Sequence, residues 1–176
     1  EENAGHDGAL ADLLALIYAE VHRRGGVVKV HRGNVRAPQT DLKVYDYIHQ
    51  LLKKTRVDPR RLCFEITESS VIANMDIAQQ FVSGLRKVGC RFALDDFGSG
   101  LSTFDYLKQL EVDYVKLDGS LVRDVATSRV SQAMVHAINY VVHVMGMKSI
   151  AEFVESDAIV ATVRKLSVDY LQGYAI

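Results

Sequence analysis

Short runs with strand-like patterns alternate along this chain with longer stretches of helical period. The runs at 27–32, 62–67, 91–96, 114–118, 148–153 and 169–173 predict strands. The stretches near 9–24, 41–55, 75–88, 102–109, 121–145 and 157–165 predict helices. Within 75–88, Ile77, Phe81, Val82, Leu85 and Val88 recur every three or four residues, so one face of that helix is expected in the core. Asp58-Pro59 and Gly89 mark the expected helix ends. Alternation of this kind defines an α/β fold with a parallel sheet. Six such units fit either a doubly wound open sheet or most of a (β/α)8 TIM-like barrel.

The polar positions decide between the two. Glu65, Asp95, Asp96, Lys116, Asp118, Glu152 and Gln172 fall at or near the ends of five successive strands. A barrel opens all its strand C-termini on one face and gathers catalytic residues there. A doubly wound sheet places its chemistry at one switch point, behind a glycine-rich turn after its first strand. No GxGxxG or GxxxxGK[ST] occurs. The expectation is therefore an incomplete barrel of about six β/α units.

Composition narrows the setting. With 176 residues, 48% of them hydrophobic, the chain suits one domain over 1–176. Twenty-one basic residues against 22 acidic ones create no chain-wide field toward nucleic acid or an anionic membrane, so phosphate binding must be local and no DNA or RNA polymer is expected as a partner. No apolar run approaches the roughly 20 residues of a membrane span, and the N-terminus has no signal-peptide pattern. Cys63 and Cys90 lie in or beside strand-like runs without CxxC spacing, as free thiols do in a reducing, cytoplasmic setting. His136 and His143, a heptad apart on a mostly apolar stretch, read as helix residues rather than ligands.

The main chemical signal is Leu94-Asp95-Asp96-Phe97-Gly98-Ser99-Gly100. Adjacent carboxylates in a regular strand point to opposite faces, which is costly in an apolar sheet without cations. A bulge or turn at the strand end would bring both onto divalent metal, and the glycines would let the loop pass close to a ligand. Taken alone, the pair reads equally well as a solvated acidic turn. Glu65, with Thr67 on the same side of its strand, sits among apolar neighbours where an isolated charge needs neutralising. Glu68 lies just beyond and suits either a brace for a nearby loop or a solvated role. Lys116 is an ammonium in an inward position, fit to pair with carboxylates or to orient water and hold a phosphate oxygen. Glu152, with Glu155 one turn onward, adds an acid at a fourth strand end. Hard oxygen ligands without a His/Cys cluster favour Mg2+ or Mn2+, and two such ions serve in-line phosphodiester hydrolysis. A receiver domain also uses an acidic pair and a lysine, but its phosphoacceptor aspartate stands between them, whereas here Lys116 precedes Asp118.

The ordered motifs resemble the EAL domain family. Glu65-Ile66-Thr67-Glu68 matches ExTE, Asp95 through Gly100 matches DDFGxG, Lys116-Leu117-Asp118 matches KxD, Ala151 through Glu155 matches AExVE, and Gln172-Gly173-Tyr174 matches QGY. The match is strong over 57–176 and weak over 1–40. The resemblance implies a modified (β/α)8 barrel that hydrolyses cyclic di-GMP to linear pGpG with two Mg2+ or Mn2+ ions, in bacterial second-messenger signalling. It assigns Glu65 and Asp95 to the first metal, and Asp95, Asp96 and Glu152 to the second. Lys116 would hold the attacking water or a phosphate oxygen, Asp118 and Gln172 would line the substrate, and Glu68 and Glu155 would steady loops, notably 97–104.

Two departures qualify the resemblance. No Glu-Ala-Leu triplet, the family's naming motif and the source of a first-metal ligand, occurs in the chain. Glu1, Glu2 and Gly5 resemble the stretch that follows it, so the chain is expected to start after that motif. The asparagine of the family's NxS motif aligns with His31, with Asn34 displaced by three. Histidine suits Mn2+ better than Mg2+. The expected alternative to a phosphodiesterase is therefore an inactive cyclic di-GMP receptor or protein-interaction module. A homodimer, and fusion to GGDEF or sensory domains, are expected on the same resemblance.

Overall fold

The computed structural model describes residues 13–17, 30–31, 34–36, 42–99 and 104–176. The chain divides into two compact units, Glu1–Phe92 with Gln109–Glu111, and Ala93–Lys108 with Val112–Ile176.

In the first unit, strand β1 (Val30–His31) pairs antiparallel with β2 (Asn34–Arg36), and β2 runs parallel to β3 (Cys63–Thr67). Of the predicted strand 27–32, residues 30–31 are described and are in β1, the others lying outside the described residues, and the partner strand at 34–36 is too short to leave a periodic signal. Helix α1 (Leu42–Thr55) and a 3-10 turn at Pro59–Arg61 lead into β3. Helices α2 (Glu68–Ala73) and α3 (Met75–Lys87) follow it. The helix expected at 9–24 is described only at 13–17, where it is helical.

Local chemistry sets these boundaries. Asp58 caps the 3-10 turn by accepting from the Arg60 N–H at 3.0 Å, with Pro59 preset for the turn. Thr67 caps α2 and Asn74 caps α3, the latter accepting from the Ile77 N–H at 3.2 Å. At the far end of α3, Gly89 takes φ +103 and turns the chain back. The core is aromatic: Phe64 stacks on Phe92 at 5.5 Å between centroids, and Phe81 meets both rings edge-on. Cys90 is buried too, and burial pushes its thiol up to about 12, which makes it an inert core residue.

Strand β4 (Arg91–Phe97) runs from the first unit into the second. In the second unit β4, β5 (Tyr114–Leu117), β6 (Lys148–Ala151) and β7 (Tyr170–Leu171) are all parallel, each beside the next in chain order. This is barrel-type winding, without the reversal of a doubly wound sheet. The crossovers are α4 (Gly119–Val122), α5 (Arg129–Val144) and α6 (Asp157–Lys165). The predicted helix 121–145 is therefore two helices. Apolar period continues across the break, but Ser128 caps α5 afresh, accepting from the Ser131 N–H at 3.1 Å. The predicted helix 102–109 is a single 3-10 turn, Tyr106–Lys108, with 102–103 outside the described residues.

A polar network ties α5 to the N-terminal ends of β6 and β7. Buried Asn139 donates to the carbonyls of Leu166 and Ser167 at 2.9 and 3.0 Å, and its oxygen accepts from Ser149 Oγ. Asp169 Oδ2 accepts from the Ser149 N–H at 2.8 Å and lies 2.7 Å from His143 Nε2. Burial raises the Asp169 pKa, but the Ser149 N–H and His143 outweigh it and hold the carboxyl below its ordinary value. His143 thus reads as a helix-surface partner of Asp169, consistent with its place on an apolar helix.

Candidate active site at the strand ends

The site begins with a fault in β4. Leu94 is in register with Val115 and Phe97 with Leu117, so Asp95 and Asp96 together stand opposite the single residue Lys116. The extra residue is absorbed at Asp96, whose φ is +59. Aspartate tolerates the left-handed region better than most residues because its short polar side chain bonds locally. The bulge undoes the strict alternation that would have sent the two carboxylates to opposite faces. Gly98 follows at φ +89, and a Cβ there would meet the side chain of Leu121.

Oxygens of Asp95, Asp96 and Glu152 lie within 4.8 Å of one another. Lys116 Nζ stands 3.0 Å from Asp95 Oδ1 and 2.7 Å from Glu152 Oε1. Asp95 and Lys116 are each 3% exposed and Glu152 is 8% exposed, so this is a desolvated charge cluster. Three carboxylates face one ammonium. Carboxylate oxygens this close together, with Asp95 and Glu152 buried, are hard donors that fit a divalent cation such as Mg2+ or Mn2+.

Glu152 owes its position to the residue after it. The Glu152 N–H donates to Leu117 O at 3.3 Å and the Val154 N–H donates to Gln172 O at 3.1 Å, so the chain turns sharply between two neighbouring strands. Phe153 makes the turn at φ +53. Its ring lies against Gly119, where a Cβ would collide with it, and the Arg123 guanidinium sits 4.5 Å from the ring centroid. Neither Arg123 nor Phe153 stood out in the sequence, because nothing in a phenylalanine announces a left-handed backbone.

The remaining expected residues are placed as follows. Asp118 caps α4, with Oδ1 accepting from the Ser120 N–H at 2.8 Å, and its other oxygen takes no part in that bond. Gln172 is bonded through its backbone to Ala151 and Val154 at the same strand ends. Glu65, inside β3, and Glu68, opening α2, are both buried in the first unit, which removes the solvated reading of Glu68. Glu155 is exposed just ahead of the α6 cap. His31 stands in β1 in register with Asn34, which lies in the strand parallel to β3. Of the 97–104 loop, 100–103 lie outside the described residues. Among the described residues, no helix is long and apolar enough to cross a membrane.

A singly wound α/β sheet with an acidic cluster at its strand ends defines a barrel-type protein whose carboxylates could hold a metal ion. The comparisons identify the family: residues 9–176 match the EAL domain, and the chain belongs to that family. Its fold is accordingly the EAL-type TIM-like barrel. It is 41% identical over 131 residues to the cyclic di-GMP phosphodiesterase PdeB of Shewanella oneidensis, covering 74% of this chain and 15% of that protein. Among solved structures it resembles the FimX EAL domain of Pseudomonas aeruginosa bound to c-di-GMP, with TM-score 0.76 and 30% identity, covering 80% of this chain and 59% of that one. It also resembles Klebsiella pneumoniae BlrP1 in a manganese/cyclic di-GMP complex, with TM-score 0.77 and 25% identity, covering 98% of this chain and 42% of that one.

Proposed function

We propose that this chain is the catalytic part of a cyclic di-GMP phosphodiesterase, cleaving one phosphodiester of the cyclic dinucleotide to give linear pGpG. One observation carries the reading: the bulge in β4 sets Asp95 and Asp96 against Lys116, with Glu152 within 4.8 Å of both aspartates. Asp95, Asp96 and Glu152 would hold one Mg2+ or Mn2+, and Glu65 and Asp95 a second, with His31 the remaining candidate ligand. Bound there, such ions supply charge neutralisation at the phosphate and acidify water. Lys116, fixed by two carboxylates, holds the attacking water or a phosphate oxygen in line. Asp118, with the carboxylate oxygen that does not cap α4, and Gln172 line the nucleotide. Glu68 and Glu155 steady the loops around it.

The PdeB relative is several times longer than this chain, which leaves room in the whole protein for GGDEF or sensory domains. A homodimer and a cytoplasmic location complete the reading, the latter suited to the free cysteines Cys63 and Cys90. The test is incubation with cyclic di-GMP and Mn2+, with chromatographic separation of the products. Appearance of pGpG that Asp95→Asn abolishes is the expected result; no turnover and no nucleotide binding would defeat the proposal. A second reading, binding without cleavage, is favoured by the absence of a Glu-Ala-Leu triplet from these 176 residues. Tight binding without product would select it.

A further inference from the structure

Helix α4 is a single turn, yet both of its ends touch the residue that follows Glu152. Glu152 lies one residue past the end of β6, and its N–H reaches Leu117 O at a long 3.3 Å. Phe153 then takes φ +53, a conformation that an L side chain adopts only at a cost. Its ring is 42% exposed, so core packing does not hold it there. The contacts that remain are with α4. A Cβ at Gly119 would stand 2.9 Å from the ring Cγ and 3.0 Å from Cε2, so the ring occupies the place that a side chain would take. Arg123 Cζ lies 4.5 Å from the ring centroid, inside the roughly 6 Å reach of a cation–π contact.

Gly119 and Arg123 are one helical turn apart, joined by the Arg123 N–H donating to Gly119 O at 2.9 Å. That turn is tied to the sheet in its own right, because Asp118 follows β5 directly and its N–H donates to Phe97 O at 3.0 Å. Among the described residues, the Phe153 ring is the partner of the Arg123 guanidinium and no carboxylate pairs with it. We propose that Arg123 is a positioning residue for Glu152: by pinning the Phe153 ring to α4, it holds the left-handed turn that directs Glu152 toward Asp95, Asp96 and Lys116. The inference rests on reading that cluster as a divalent cation site, and it adds a residue that touches none of the ligands. Charge and geometry make opposite demands here. A cation acting only through its field opposes a divalent ion, so its removal would strengthen metal binding. A cation acting through the ring supports the ion, and its removal weakens binding.

The test is titration of the whole chain with Mn2+, followed by loss of the free-ion electron paramagnetic resonance signal. Arg123 is exposed, so its variants should keep the circular dichroism of the wild type. Arg123→Gln should weaken Mn2+ binding by about tenfold, the scale of a lost contact that orients a ligand. Arg123→Lys, whose ammonium is also drawn to a ring face, should stay within about threefold of the wild type. In Phe153→Gly, where glycine accepts the left-handed backbone without a ring, adding Arg123→Gln should bring no further loss. Unchanged or tighter binding by Arg123→Gln, an equal loss in the Phe153→Gly background, or no rescue by Arg123→Lys would overturn the proposal and leave the metal site standing. No Mn2+ binding by the wild type would overturn the metal site and this proposal with it.

Discussion

Lys116 Nζ lies 2.7 Å from Glu152 Oε1, an ion pair buried at the ends of adjacent parallel strands. The same ammonium reaches Asp95 at 3.0 Å. It therefore substitutes, in part, for the positive charge that the three carboxylates call for, and its removal and the addition of metal should offset one another. Lys116→Met should destabilise the metal-free protein by about 3 kcal/mol, because breaking a buried pair strands the partner charge. Manganese should then raise the melting temperature of the variant more than that of the wild type. Thermal denaturation with and without Mn2+ measures both, and a loss that Mn2+ does not narrow would contradict the cluster's role.

Phe153 gives a backbone prediction. Phe153→Val and Phe153→Asn both remove the ring that rests on Gly119 and Arg123, so they differ chiefly in how they accept φ +53. Valine, β-branched, resists the left-handed region, whereas asparagine accepts it. The valine variant should be less stable by about 1 kcal/mol or more, a difference of about 2–4 °C in melting temperature. Equal stabilities would mean that the turn after Glu152 is not held left-handed.

Asp169 gives a pH prediction. Its pKa is lowered in the folded state, so its contribution to stability is present above the unfolded value near 3.8 and lost as pH falls through the folded value. The stability difference between the wild type and Asp169→Asn should shrink once pH falls below about 4. Urea denaturation across that range tests it; a difference that grows on acidification would reverse the sign.

Much of this arrangement is legible in the sequence because it rests on period and composition. Runs such as Cys63–Thr67 and Tyr114–Leu117 are short and largely apolar, and each carries a charged residue, Glu65 or Lys116, at a buried position. Even the fault in β4 follows from Asp95-Asp96, since a regular strand could not serve both carboxylates. What period cannot carry is punctuation. Thr67 caps a helix at Glu68–Ala73 through side-chain bonding at Ser70, and Ser128 restarts one at Arg129, but both signals are single hydroxyls inside otherwise continuous patterns. The left-handed turn at Phe153 is a tertiary choice, enforced by Gly119 and Arg123 from another strand end. Asn34–Arg36 is a strand only because β1 and β3 flank it.

On the proposed reading, the β4 bulge gathers Asp95, Asp96 and Glu152 into a divalent cation site. Titration of the chain with Mn2+, followed by the loss of the free-ion electron paramagnetic resonance signal, tests it most directly. The expected result is saturable binding that competes with Mg2+ and weakens by more than about tenfold in Asp96→Asn, whose circular dichroism stays that of the wild type. Binding that Asp96→Asn and Glu152→Gln leave untouched, or no binding at all, would contradict it.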